Sequence, residues 1–408
     1  MIIKSKCSFC ESNLQEIVDL GLSPPANNFI ENINDDIKSY PLIIDFCNSC
    51  FSIQLRHCLA KEELYSFYTY STPNSITLSD HYTLLKKKLE KFNKINNSLS
   101  CLEIGSNNGN LLKFLQPNFD KVLGVDPAKN IAQIAKKQGI DTLVDFFSQD
   151  LALQIVNEHQ KFNVIIARHM FAHNENPLNL LQAIQSALED NGVFIIENAY
   201  ALDTFINGEF DQIYHEHMFY YSAINLQALL SKFSCELIDY EHVDIHGGSG
   251  VFICANKGKY PVSEAVTKVI LNEEALLKDG VLFKKFNQKI KNLKSKTLNF
   301  LNEQKKYGNI IGSYGAPAKA FTVFSYFGIT NDHISFCVDT TPTKIGKIFP
   351  VSRIPIISEE QLSDMKYDTI IVNAWNYKNE ILEKASSIFA RGTKLVFLIP
   401  EFESYTVE

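Results

Sequence analysis

Two pairs of cysteines, Cys7-Ser8-Phe9-Cys10 and Cys47-Asn48-Ser49-Cys50, constrain this 408-residue chain more tightly than any other feature. A C-x-x-C turn aims two thiolates at one metal ion, and two such turns complete a tetrahedron. Residues 7–10 and 47–50 must therefore meet. The 36 residues between the pairs exceed the usual spacing, so an insertion or a small sheet must fill the gap. One pair alone could serve redox chemistry; two pairs, neither followed by a helical pattern, point to structural zinc held by Cys7, Cys10, Cys47 and Cys50. Four sulfurs leave the metal no open position for chemistry. The start, MIIKSKCSFC, lacks a signal-peptide stretch, and no run nears the roughly 18 apolar residues of a membrane helix. The expected compartment is the cytoplasm, where disulfides do not persist. Cys58, Cys101, Cys235, Cys254 and Cys337 lie singly in apolar segments and read as small buried hydrophobes.

At roughly 150 residues per domain, the length predicts two or three domains. Hydrophobic residues at 45 % and charged residues at 21 % exclude long disorder, a collagen-like repeat and a coiled-coil rod. A net charge of -7 gives no general attraction to phosphate backbones, so no nucleic acid partner is expected. RNA recognition by the cysteine-rich segment is disfavoured because residues 1–75 hold five basic against nine acidic side chains.

Residues 1–75 read as strands and turns ending in a tyrosine cluster, Tyr65, Tyr68 and Tyr70. That cluster is either packing or, being polar-tipped at a domain edge, a substrate contact. Strand and helix patterns then alternate from about residue 100 to 257: LSCLEIG, a glycine turn and a helix, KVLGVD, IAQIAKKQ, FNVIIAR, GVFIIEN, GVFICAN. Such alternation predicts a doubly wound parallel sheet with helices on both faces. A helical connector carrying six lysines from Lys284 to Lys296 follows, read as a solvated face. From about residue 307 a second, smaller α/β unit begins.

The turn Glu103-Ile-Gly-Ser-Asn-Asn-Gly109 closes the first strand of the middle unit. It is neither G-x-G-x-x-G nor a phosphate loop with G-K-[ST], so dinucleotides and nucleoside triphosphates fit poorly. Gly105 and Gly109 let a ligand approach the backbone, Glu103 can meet a cationic amino group, and Asp126, 17 residues after Gly109, can accept two ribose hydroxyls. Acid, glycines and acid in that order fit S-adenosylmethionine. The densest polar constellation is Phe210-Asp-Gln-Ile-Tyr-His-Glu-His217, after an apolar strand and before MFYYS. Histidine moves protons near neutral pH and an adjacent carboxylate tunes it, while Tyr214 can hydrogen-bond an oxyanion. His215 and His217 around Glu216 also allow a metal reading. His169 and His173 in ARHMFAH sit at a strand's carboxyl end, where ligands bind in open α/β sheets; His246 stands in IHGGSG.

Many separate blocks then match one family in order: both C-x-x-C pairs with LGLSPPANNF between them, YSFYTYS, LEIGSNNGNLL, DFFS, ARHMFAH, FDQIYHEHMFYYS, HGGSG, SYGAPAKA, VDTTPTKIG and AWNYKNEI. Over essentially its whole length the chain resembles bacterial sugar C-methyltransferases that act on nucleotide-linked ketodeoxysugars. The resemblance implies an α/β chain with a zinc-binding domain over 1–75, a doubly wound class I methyltransferase domain over 76–257, a helical connector over 258–306 and a Rossmann-like nucleotide-sugar-binding domain over 307–408. It implies S-adenosylmethionine and structural zinc as cofactors, a nucleotide-linked keto-deoxysugar as partner, and no membrane. By position, His217 resembles the base, with Tyr214, Glu216 and His173 beside it. Glu103, Gly105, Asn107, Gly109 and Asp126 resemble the cofactor-binding set, and Tyr70 and Lys319 the substrate contacts. Two departures stand out: His169 where the family commonly has asparagine, and Gly250-Val251 where it has a Leu-Arg pair. Rival readings are an O- or N-methyltransferase on the same scaffold and a non-catalytic binding protein with a degenerate core. The glycine turn and the HEH cluster oppose the second.

Overall fold

The computed structural model describes residues 1–60, 64, 76–92, 99–245 and 247–408, with backbone alone at 76 and 77. The tyrosine cluster, Tyr70 included, and His246 lie outside the described residues.

The strands expected in the middle of the chain assemble into one seven-stranded sheet. Its order is Cys235–Val243, Ser249–Asn256, Leu188–Ala199, Phe162–Arg168, Ser100–Ile104, Lys121–Val125, Thr142–Leu143. Contiguous β-branched runs suit strands buried on both faces, and every pairing from Leu188–Ala199 to Thr142–Leu143 is parallel. Alternation alone does not foresee the closing strand Ser249–Asn256, which inserts antiparallel between Leu188–Ala199 and Cys235–Val243. Alternate side chains enter different cores. Val164, Ile166, Val193 and Ile195 pack with the helix Ile76–Glu90, whose Leu78, Tyr82, Leu85 and Leu89 are buried. Ile165, Ala167, Phe194 and Ile196 pack on the opposite face.

The gap between the cysteine pairs is indeed filled by strands. Gln15–Ser23, Tyr40–Phe46 and Ile53–Leu55 form an antiparallel sheet, whose fourth strand is Phe219–Tyr220 from the middle of the chain. The lysine-rich connector comprises the helices Glu264–Leu277 and Val281–Lys306. Its lysines lie on one face only. Leu282, Phe283, Phe286, Ile290, Leu293 and Leu301 are buried, Phe283 packs on Phe46, and the Asn287 side-chain amide donates to the Ile17 carbonyl at 2.6 Å. The connector is thus a brace against the amino-terminal sheet.

The last sheet runs Ile356–Ile357, Phe336–Val338, Ile311–Tyr314, Thr369–Val372, Lys394–Phe397, Glu403–Thr406, parallel except for its final strand. The chain order reverses beside Ile311–Tyr314, so the turn after that strand opens at a switch point, where ligands bind in open sheets. The helix Ala318–Phe327 starts there. Among the described residues, no helix is long and apolar enough to cross a membrane. All five single cysteines are buried, as their apolar surroundings require.

Candidate active site

The glycine turn is held open from below. The Gly105 and Ser106 amides both donate to the Val125 carbonyl, at 2.8 and 3.1 Å. The Asp126 carboxylate accepts the Asn107 amide at 2.8 Å and the Ala128 amide at 2.9 Å, so it ties the turn to the following strand end. Gly105 has φ +71°, and a Cβ there would lie 2.9 Å from the Met170 side chain, so only glycine lets the two strand ends approach. Behind the turn, Glu103 is buried. Its Oε1 lies 3.4 Å from Arg168 Nε, while Oε2 is buried without a partner. Burial pushes this carboxyl up to about 7 against the opposing pull of Arg168.

The HEH segment does not follow a strand directly: the helix Ala201–Asn207 intervenes, and residues 210–217 form a turn between it and Phe219–Tyr220. His217 Nδ1 lies 2.9 Å from the Gln212 carbonyl. A carbonyl only accepts, so Nδ1 carries the hydrogen and Nε2 the lone pair. The Tyr214 hydroxyl donates to that lone pair at 2.7 Å. Desolvation, then the neighbouring His173, holds His217 well below the usual histidine range, so the ring is neutral. The His173 ring stands edge-on to it, 5.1 Å between centroids, and burial brings His173 down to about 4. Glu216 is 7 % exposed, with His173 Nδ1 at 3.9 Å and the Asn27 amide at 3.4 Å; burial lifts it to about 7. Asn27 belongs to the PPANN turn, so that amino-terminal block reaches the site. The metal reading of HEH fails: His215 points away, Nε2 3.4 Å from the Pro41 carbonyl on the amino-terminal sheet, with its ring against Tyr40. Among the described residues, only the four cysteines cluster as metal ligands.

Lys319 enters from the last sheet. One helical turn on, Thr322 Oγ1 donates to the Ile213 carbonyl at 2.6 Å, pinning the helix Ala318–Phe327 to the HEH turn. Lys319 Nζ is out of contact with solvent, has no hydrogen-bond partner, and lies 4.3 Å from the Trp375 ring centroid. Trp375 Nε1 donates to Asp211 at 2.6 Å. At Gly247 a Cβ would lie 2.7 Å from Trp375, so the glycines of HGGSG make room for this indole. An open cavity of about 490 Å³ adjoins it, lined by Asp203, His242, Gly247, Trp375, Tyr377 and Lys378 among others.

The zinc residues also belong to this frame. The four Sγ atoms lie within 4.8 Å of one another, a donor set that fits tetrahedral zinc. Phe9, inside the first C-x-x-C turn, stacks on Phe219 at 5.4 Å, and the Leu55 amide donates to the Met218 carbonyl at 2.9 Å. The metal knuckle is thus one strand away from His217.

Three family models match this arrangement end to end: "Putative zinc binding domain" over residues 7–65, methyltransferase domain over 78–240, and C-methyltransferase C-terminal domain over 244–400. The chain is 28 % identical over 402 residues to C-methyltransferase NovU of Streptomyces niveus, covering 97 % of this chain and 96 % of that protein. These matches together support a C-methyltransferase with an amino-terminal zinc domain. Similar solved structures include a SAM-dependent methyltransferase from Anabaena variabilis (18 % identity, 47 % of this chain and 99 % of that one, TM-score 0.35). Another is the magnesium protoporphyrin IX methyltransferase of Synechocystis with bound SAM (11 % identity, 46 % and 87 %, TM-score 0.34).

This C-methyltransferase uses S-adenosylmethionine as methyl donor and zinc as a structural metal. The residues fit that donor: the buried Glu103 Oε2, without a partner, is an acceptor for a cation, beside a turn that Gly105 lets pack closely on Met170. The structure brings Glu103, Gly105, Asn107, Gly109 and Asp126 to the ends of two adjoining strands, and gathers His173, Tyr214, Glu216 and His217 with Lys319 close by. Sequence reasoning missed Trp375, Asp211, Glu197 and His81. Asp211 stood within the polar segment 210–217 and Trp375 within AWNYKNEI without being singled out, and Glu197 ended the apolar run GVFIIE. Both departures border it. His169 Nε2 lies 3.0 Å from Glu197 Oε1, and Val251 is its cross-strand partner.

Proposed function

We propose that this C-methyltransferase transfers its methyl group to the carbon beside the ketone of a nucleotide-linked keto-deoxysugar. The Tyr214–His217 pair carries the reading: a neutral imidazole with a fixed lone pair, and a hydroxyl donor 2.7 Å from it. A C–H bond becomes acidic enough to lose its proton only beside a carbonyl, so a base of this strength needs a ketone substrate. His217 Nε2 takes that proton. Tyr214 turns its hydroxyl from Nε2 to the ketone oxygen as substrate enters, and Tyr214 or His173 donates to the enolate oxygen. Glu216, neutral over much of the range below about 7, positions His173. When bound, S-adenosylmethionine supplies a methyl group on a positively charged sulfur, which leaves as a neutral thioether.

Lys319 supports the nucleotide-linked half of the reading. Burial lowers the pKa of the Lys319 ammonium against the opposing pull of Asp211 and Glu209, and with no hydrogen bond made it keeps its donors for a ligand. It sits at the switch point of the last sheet, with the aromatic-lined cavity alongside. Tyr70 is retained as a further substrate contact on the resemblance alone. We place the reaction in the cytoplasm, where the zinc thiolates stay reduced.

The test is a panel of nucleotide-linked 4-keto sugars incubated with enzyme and methyl-labelled donor, read by mass spectrometry and carbon NMR. A new carbon–carbon bond next to the ketone is the expected result. A methyl found on oxygen or nitrogen with every turned-over substrate would replace this reading with the O- or N-methyltransferase.

A further inference from the structure

The Lys319 ammonium is sealed beneath a single side chain. Its Nζ is out of contact with solvent and makes no hydrogen bond, and the ring of Trp375, the chain's one tryptophan, covers it at 4.3 Å from the centroid. The indole Nε1 donates to Asp211 Oδ2 at 2.6 Å, and Asp211 is itself 1 % exposed. At the far tip of the indole, a Cβ on Gly247 would come within 2.7 Å of Cη2, so a glycine with φ +94° forms the seat of the ring. The indole is thus held at three points: a cation at its face, a carboxylate at its nitrogen and a glycine at its outer edge. Two of these lie in the middle of the chain and one in the last sheet's unit.

Beyond the indole lies open space. Trp375 lines the cavity of about 490 Å³, whereas Lys319 Nζ has no solvent contact, so the ring stands between the cavity and the ammonium. The backbone beneath the ring is tied down. The Asn373 amide donates to the Tyr314 carbonyl at 2.9 Å, and the Asn373 side-chain amide donates to the Gly315 carbonyl at 2.8 Å. The Tyr377 amide donates to the Ala374 carbonyl at 2.9 Å. A change of side-chain rotamer is therefore the movement that uncovers Lys319, and the cavity gives the indole room to make it. The ring offers the ammonium only the negative face of its quadrupole. A phosphate offers a full charge and strong acceptor oxygens, so a ligand of that class takes the indole's place where a neutral one does not.

We propose that Trp375 is a lid over Lys319, latched by Asp211, and that a nucleoside diphosphate entering through the cavity displaces it. The proposal rests on the reading of Lys319 as a contact to the nucleotide-linked sugar. No covalent bond is made or broken. The Nε1–H leaves Asp211, the indole swings towards the wet side of the cavity, and Lys319 turns its donors from the ring face to phosphate oxygens. The lid makes entry conditional on charge: a sugar ketone without its nucleotide has nothing to exchange for the indole. Trp375 and Asp211 are then positioning residues that select the substrate, and neither touches the reacting carbon.

A single tryptophan lets the wild-type, zinc-loaded chain report on the lid without mutation. The probe is whichever of the thymidine, uridine, guanosine and cytidine diphosphates binds by calorimetry. Its binding is expected to move the tryptophan emission to longer wavelength and to strengthen acrylamide quenching. Unchanged emission, or a shift to shorter wavelength with weaker quenching, would show a fixed wall on which the ligand packs, and would overturn the lid alone. Acylation of Lys319, read by peptide mass spectrometry, gives the second arm. Trp375→Ala should be labelled there roughly 10-fold faster than wild type, and the diphosphate should restore protection. Labelling no faster than wild type would mean that the indole is not the cover. Asp211→Asn keeps the tryptophan and weakens the latch. It should bind the diphosphate roughly 10-fold more tightly, with emission already at longer wavelength before ligand is added. Weaker binding would make Asp211 a ligand contact and overturn the latch. Failure of all four diphosphates to bind the wild type would bring down the nucleotide reading of Lys319, and this proposal with it.

Discussion

The two halves of the cleft are built in different ways. The proposed cofactor half is local: Glu103, Gly105, Asn107, Gly109 and Asp126 span 24 residues, and backbone amides tie the turn to the next strand. The acceptor half is assembled at a junction. His217 and Tyr214 lie on a turn whose next strand belongs to the zinc-bearing sheet, Asn27 arrives from that unit, and Lys319 comes from the last sheet. A donor common to many methyltransferases can be met by one loop; a particular acceptor is met by surfaces that several units contribute. It follows that the halves should fail separately.

Removing zinc is the harshest way to test that separation. Chelator treatment, checked by metal analysis, should abolish methyl transfer while S-adenosylmethionine affinity stays within about threefold, since the knuckle packs on Phe219 rather than on the glycine turn. Donor binding lost in step with zinc would break the comparison. Next in size, His217→Asn should lower kcat by roughly 1,000-fold, within the range of a general base, and leave donor binding unchanged by calorimetry. Lys319→Met should act on substrate alone. Losing a charged contact worth roughly 1.5–3 kcal/mol raises KM for the nucleotide-linked sugar about 10- to 100-fold, with kcat at saturation less affected.

The smallest effect concerns stability. The folded Glu216 carboxyl lies at about 7, above the roughly 4.3 of a free glutamate. The folded chain therefore binds more protons between those values, and stability falls as pH rises through the window and stays lower above it. Glu216→Gln removes that penalty. The variant should be more stable than wild type at pH 8 by roughly 2 kcal/mol and equal to it at pH 4, by calorimetric unfolding, although its turnover drops. Equal stability at both values would mean that Glu216 is not a strained member of the acceptor half.

The same contrast explains what could be read from the sequence. The glycine turn, Asp126 and the four cysteines were legible because each depends on short spacing and strand-end geometry. The alternating sheets were legible from apolar runs, but the antiparallel strand Ser249–Asn256 was not, since alternation carries no strand direction. The HEH motif announced itself, yet which histidine faces the cleft did not: His215 turns to Pro41 only because Tyr40–Phe46 packs there. Asp211 with Trp375 spans 164 positions in the chain, and His81 with Glu197 spans 116. Nothing within either partner's own segment marks the other. The lysine-rich connector's solvated face was legible, but its buried face is visible only against the amino-terminal sheet.

The central claim is that the acceptor half makes a carbanion beside a ketone independently of the donor half. Donor-free deuterium exchange into a nucleotide-linked 4-keto sugar, comparing wild type with His217→Asn, tests it most directly. The account predicts exchange at the carbon beside the ketone in the wild type and none in the variant, with both proteins binding S-adenosylmethionine equally. Methyl transfer by a wild type that exchanges no deuterium, or undiminished exchange in His217→Asn, would contradict it.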